Sequence, residues 1–234
     1  LILDLVAAMA KPVKIVVNPR SDVVTPGVAG ALTDAFIAHH VATGNEAFTK
    51  RKFEHTLVKA LRVDGHDAKV EPGLGARDIS VDGQGWSLKT QADAGIRMDG
   101  IHISKFMELG KGRWEGEDDL RSLRDAMLDH MVHYARIFTL RCFVNSPKYR
   151  SAGRAFYELV EIPKALLARA RDGEIRMVME SRQKPKPGYC TVGDEDGILF
   201  ELYFDGGSER KLQIRHLRKS ACVVHATWDL EVSE

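Results

Sequence analysis

Arg77-Asp78-Ile79-Ser80-Val81-Asp82-Gly83-Gln84-Gly85-Trp86-Ser87-Leu88-Lys89-Thr90 is the stretch whose reading decides the fold. Two strand-like runs flank Asp82-Gly83-Gln84-Gly85, a turn signal, so the stretch predicts a β-hairpin. With the loop centred on those four residues, Val81 faces Trp86 and Asp78 faces Lys89. Side chains alternate across a strand. Asp78, Ser80, Ser87 and Lys89 therefore share one face, while Ile79, Val81, Trp86 and Leu88 point the other way into a core. The hairpin offers an acid, a hydroxyl and a lysine on a polar face backed by an apolar one.

Working outward, residues 27–42 and 46–62 predict helices. Leu32, Phe36 and Ile37 mark the buried face of the first, and Phe48, Phe53, Leu57, Val58 and Leu61 that of the second. Residues 67–71 predict a strand before the hairpin. Residues 101–110 predict a short helix and 117–130 a longer one, with Leu120, Leu123, Met127 and Met131 at helical spacing. Residues 133–144 predict a buried strand, 162–171 a helix, and 174–180, 197–204, 210–217 and 221–230 four further strands. The segment 145–153 and the run Lys184-Pro185-Lys186-Pro187-Gly188 read as loops. The expectation is an α/β fold: a mixed central β-sheet flanked by helices, with a strand-rich C-terminal part. It is read as one domain over 1–234, with a catalytic core at about 46–144 and a recognition and sheet-completing part at about 150–234.

Hydrolysis of a phosphodiester needs a divalent metal held by carboxylate oxygens, and a cation that positions water or offsets charge on the phosphate. Asp78 and Lys89 meet half of that requirement. Asp78 followed by Ser87-Leu88-Lys89 resembles the PD-(D/E)XK nuclease motif, in which an Asp is followed after a hairpin by an acidic-x-Lys tripeptide. The sequence departs from it twice: Arg77 stands where the motif has Pro, and Ser87 occupies the second acidic position. The resemblance is to type II restriction endonucleases, including a subgroup in which a glutamate from the next helix replaces that second acid. Glu108, in Ile101-His102-Ile103-Ser104-Lys105-Phe106-Met107-Glu108, is the leading substitute. Glu54, in Lys50-Arg51-Lys52-Phe53-Glu54-His55, matches the glutamate many members carry on the preceding helix. The resemblance implies a restriction-endonuclease-like fold, Mg2+ on Asp78 with Glu108 or Glu54, and Lys89 orienting water or stabilising the phosphate. Ser87 would hold a water or contact the phosphate. It also implies double-stranded DNA as substrate and a homodimer, because two strands need two sites.

Charge distribution supports a nucleic-acid partner. The 234 residues carry 34 Lys and Arg against 33 Asp and Glu, a net of +1, which excludes a generically basic binder. Locally, residues 164–186 hold seven basic against three acidic residues, and 209–219 five against one. Arg182, Lys184, Lys186, Arg215 and Lys219 are the candidate DNA contacts. The acidic segment 115–129 is expected to face away from DNA. Cys142, Cys190 and Cys222 form no CxxC pair and no even set, which argues against a zinc ribbon or disulfide framework and for a reducing, cytoplasmic setting. No apolar run reaches membrane-spanning length. Residues 1–8 read as a possible upstream extension. Three other readings stay open: a repair or junction nuclease, a decayed nuclease core that only binds DNA, and a metabolic enzyme.

Overall fold

The computed structural model describes residues 10–73 and 75–232, so residues 1–8 lie outside it. In the hairpin, Asp82 and Gly83 alone make the turn. Both have positive φ, 49° and 81°, the combination a two-residue type I′ loop requires. Gly83 reaches it without the strain of a side chain. β3 (Ile79–Val81) pairs antiparallel with β4 (Gln84–Gln91) so that Ile79 meets Trp86 and Val81 meets Gln84. This corrects the expected register by two residues, because the turn consumes two residues and not four. A slip of two leaves every side chain on its own face. Ile79, Val81, Trp86 and Leu88 accordingly enter the core, while Asp78 lies beside Ser87 and not Lys89.

The described chain divides into two compact units. One contains the chain up to Ile96, Arg136–Glu161 and the chain from Val223 onward; the other contains Arg97–Ala135 and Ile162–Cys222. The first unit adds β1 (Ala10–Val17), β2 (Ala68–Val70), β6 (Arg136–Cys142), β7 (Arg154–Glu161) and β12 (Val223–Val232) to the hairpin. Together they make a seven-stranded sheet in the order β1-β12-β7-β6-β4-β3-β2. β4 and β6 run parallel and the other pairs antiparallel, so the sheet is mixed as expected.

Helices α1 (Pro26–Thr43) and α2 (Lys50–Val63) pack on this sheet. Thr25 caps α1 by accepting from the Val28 N–H, and Thr49 caps α2 by accepting from the Lys52 N–H. Leu32, Phe36, Phe53 and Leu57 from the helices share one core with Trp86, Leu140, Tyr157 and Trp228 from the sheet. Each such side chain, fully buried, contributes roughly 1.5–3 kcal/mol. Phe36 stacks on Tyr157 at 4.2 Å between ring centres, and Trp228 donates to the Thr33 hydroxyl. The opposite face of the sheet is polar yet buried at its centre. Ser87, Gln91, Thr139, Arg141 and Glu158 lie there, and Arg141 pairs with Glu158 and donates to Gln91.

The second unit is built on a five-stranded antiparallel sheet. Its strands are β5 (Gly100–Glu108), β8 (Glu174–Met177), β9 (Gly188–Asp194), β10 (Gly197–Phe204) and β11 (Lys211–Arg218). They lie in the order β5-β11-β10-β9-β8. One face carries Cys190, Leu202 and Ile214 in cross-strand register, all fully buried. Helix α3 (Glu117–His130) buries Leu120 and Met127. Gly188 lets that helix approach: a Cβ there would stand 2.3 Å from Leu120 Cδ1. The other face shows Arg176, Tyr189, Tyr203 and Gln213 in a single cross-strand row.

The helix expected over 101–110 is the strand β5, a correction with a physical reason. In Ile101-His102-Ile103 the β-branched residues alternate with a polar one, and Ile101, Ile103 and Phe106 are buried against β11. Strands β1, β7 and β9 were not expected. Among the described residues, no helix is long and apolar enough to cross a membrane.

Candidate active site

Asp78 ends its segment just before β3, and its carboxylate is fixed from three sides. Oδ2 accepts from the Leu88 backbone N–H at 2.6 Å and from the Ser87 hydroxyl at 3.4 Å. Oδ1 accepts from Lys50 Nζ at 2.6 Å. The same ammonium lies 3.2 Å from Glu54 Oε1, one turn along α2. Asp78 and Glu54 are mostly buried, at 14% and 15% side-chain exposure, which sets them inside the surface and not on it. Burial works against the Lys50 ammonium, but the hydrogen bond and charge of Asp78, with Glu54 behind it, outweigh burial and hold its pKa above the usual value.

Two carboxylates from different elements thus converge on one cation. That is the donor set a hard divalent ion requires, oxygen ligands facing a common point, so these residues fit a metal such as Mg2+. Lys50 stands where the metal charge would be needed. Ser87 is fully buried, and Lys89, two residues further along β4, is half-buried on the same face beside Thr139 of β6. The candidate site therefore gathers two acids, a hydroxyl and Lys50, with Lys89 on the same face of β4.

Glu54 is the glutamate that shares a cation with Asp78. Glu108 ends β5 in the second unit, where its exposed side chain pairs with Lys105 at 2.7 Å. It lines a cleft of about 750 Å3 with Lys105, Lys111, Gln183, Lys184 and Arg210. Of the candidate DNA contacts, Arg182 and Lys184 are exposed, and Arg215 and Lys219 are partly so. Lys186 Nζ is drawn to the carbonyls of Met179 and Ser181 and secures its own loop.

Sequence reasoning missed Lys50. Its signal was legible: Lys50, Arg51 and Lys52 fill the first turn of α2 with no acid among them, against the preference of the helix dipole. It also missed a second ionic group. Asp22, Glu161 and His225 bring their ligand atoms within 4.8 Å of one another. A guanidinium already fills that space, because Arg136 bonds both Asp22 oxygens at 2.9 Å and pairs with Glu161. His225 links Ser21, at 2.8 Å, to Glu161, at 2.9 Å. Burial would raise the Glu161 carboxyl, but His225 and Arg136 overcome it and hold it below the usual range; Arg136 does the same for Asp22.

Comparison with known proteins gives the class: type II site-specific deoxyribonuclease, whose family profile matches residues 2–230. The chain belongs to the SmaI family of that class. The type II restriction enzyme SmaI of Serratia marcescens is 43% identical over 202 residues, covering 84% of this chain and 76% of its own. No solved structure matches.

Proposed function

We propose that this site-specific deoxyribonuclease cuts double-stranded DNA with Mg2+ held by Asp78 and Glu54, acting as a homodimer so that each strand meets one site. The convergence of both carboxylates on Lys50 Nζ carries the reading. A divalent ion held by Asp78 and Glu54 would polarise the phosphate and make water easier to deprotonate near neutral pH.

The protein's own groups do the rest. The Leu88 N–H and Ser87 hydroxyl hold Asp78 Oδ2, leaving Oδ1 turned toward the cation position. Glu54 reaches the same point from α2 because it stands four residues, one helical turn, after Lys50. Lys89 projects from β4 on the face of Asp78, where an ammonium offsets charge growing on the phosphate or orients water. Arg51 and Lys52, with the positive end of α2, favour the approach of an anionic backbone. Ser87 in place of an acid then has a role: it donates to Asp78 where a second carboxylate would repel it.

Plasmid cleavage in magnesium tests the assignment. Lys89→Ala and Asp78→Asn should each lower the rate by about a hundredfold or more, the range for a positioned charge at the transition state. Wild-type rates in either variant would remove these residues from the site.

A further inference from the structure

The polar face of the second sheet carries an arginine held for a purpose its own fold does not use. Arg215 lies with its guanidinium carbon 3.5 Å from the centre of the Tyr203 ring. Its Nε donates to Gln213 Oε1 at 3.0 Å and its Nη1 to the Tyr189 hydroxyl at 3.1 Å. Tyr189 and Tyr203 are neighbours on adjacent strands, their ring centres 5.0 Å apart, and Arg176 closes the row over Tyr189 at 5.3 Å. Three side chains on two other strands and its own thus fix one guanidinium in one orientation.

No carboxylate pairs with Arg215 among the described residues. Its cross-strand neighbour Glu201 is occupied instead by Thr191, at 3.1 Å, and His216, at 3.6 Å. Partly exposed, Arg215 keeps Nη2 and one Nη1 hydrogen unused. A fixed planar fork can grip a phosphate or a base edge with two parallel bonds, where a mobile ammonium acts only as a point charge. A planar fork held in one orientation, with donor hydrogens left on Nη2 and Nη1, matches the paired acceptors O6 and N7 of guanine in the major groove.

We propose that Arg215 reads a guanine in the recognised DNA sequence, and that Tyr203, Tyr189 and Gln213 are the positioning residues that hold its guanidinium edge-on. The proposal rests on the reading that this enzyme binds duplex DNA, and it adds a base-specific role within that reading. The row was invisible as such in the sequence, where Arg176, Tyr189, Tyr203 and Gln213 stand on four separate strands.

Sequencing the ends that the wild-type enzyme makes in plasmid DNA first defines its site. Binding is then measured, in calcium, to the site duplex and to duplexes with each single base-pair change. Arg215→Met and Tyr203→Leu should both reduce discrimination at one G·C pair, Arg215→Met by roughly 5- to 150-fold. The salt slope of binding should stay unchanged, because the lost contact is not to phosphate. Equal weakening on every duplex, with a salt slope smaller by about 0.9, would make Arg215 a phosphate contact and overturn the proposal. Full discrimination in both variants would overturn it as well. Failure of the wild-type enzyme to bind any duplex would remove the underlying reading instead.

Discussion

Changing Arg141 to Met should cost about 3–5 kcal/mol of stability, the range for removing one partner of a buried ion pair. The side chains of Arg141 and Glu158 are 0% and 3% exposed and sit on paired strands β6 and β7. Arg141 also donates to Gln91 Oε1 at 3.2 Å, and its guanidinium stands 5.0 Å from the Phe143 ring. Met fills much of the volume but removes the guanidinium charge that pairs with the buried Glu158 carboxylate. With a urea dependence near 3 kcal/mol per molar, that loss moves the unfolding midpoint down by roughly 1–1.7 M. Tryptophan fluorescence reads it well, since Trp86 and Trp228 both lie in the same core. The double change Arg141→Met with Glu158→Leu should recover stability to within about 1 kcal/mol of wild type, because desolvating the pair offsets most of its attraction. A single-variant loss under about 1 kcal/mol, or a double variant as unstable as the single, would refute the account of this face as a paired, buried row.

Lys50→Met should bind divalent ions more tightly in calorimetry, by roughly fivefold, since a half-exposed ammonium no longer competes for Asp78 and Glu54; an unchanged or weaker affinity contradicts the shared cation position. Acid stability should reflect Glu161 and Asp22, whose carboxyls are held below the usual range. A depressed carboxyl adds stability above its unfolded pKa, roughly 4, and that stability is lost as pH falls through the folded value. Glu161→Gln should therefore flatten the loss of stability below about pH 4.5 in pH-dependent urea unfolding, and a slope equal to wild type counts against the network. Thiol labelling of the native protein should modify Cys222 first. Burial raises Cys142 and pushes Cys190 up to about 11, keeping both as buried thiols, and equal rates at all three would contradict that burial.

The hairpin was legible because its two periodicities agree: alternation assigns faces and Asp-Gly marks a turn. Its register was not, since choosing a two-residue loop over a four-residue one depends on φ at Asp82 and Gly83. The α3 bounds, Glu117–His130, follow from the spacing of Leu120 and Met127. β7 hid because Phe156 and Val160 add apolar residues on the face opposite Ala155, Tyr157 and Leu159, which blurs the alternation. β5 misled because its alternation is short and interrupted by irregular pairing with β11. In the candidate site, Asp78, Glu54, Ser87 and Lys89 were named from motif order, while Glu108, named with them, lies at the end of β5 in the second unit. The all-basic first turn of α2 marked Lys50 in the sequence, but its pairing with Asp78, 28 positions away, needed the packing of α2 against the hairpin.

The two-unit division follows from where the chain leaves the seven-stranded sheet. It departs after β4 and returns at β6, and departs after β7 and returns at β12. These two departures differ in kind. Glu161 and Val223 are direct partners in an antiparallel pair, so residues 162–222 amount to an overgrown hairpin loop, and lengthening such a loop changes its closure entropy only slowly. β4 and β6 are parallel, with Gln91 level with Arg141, so residues 97–135 form a crossover that must span the sheet whatever its content. Insertions and replacements should therefore accumulate between Ile162 and Cys222, the segment that carries Arg215, Tyr189 and Tyr203. The hairpin between Asp78 and Lys89 lies outside that segment, in the first unit, so insertions there leave its strand pairing intact.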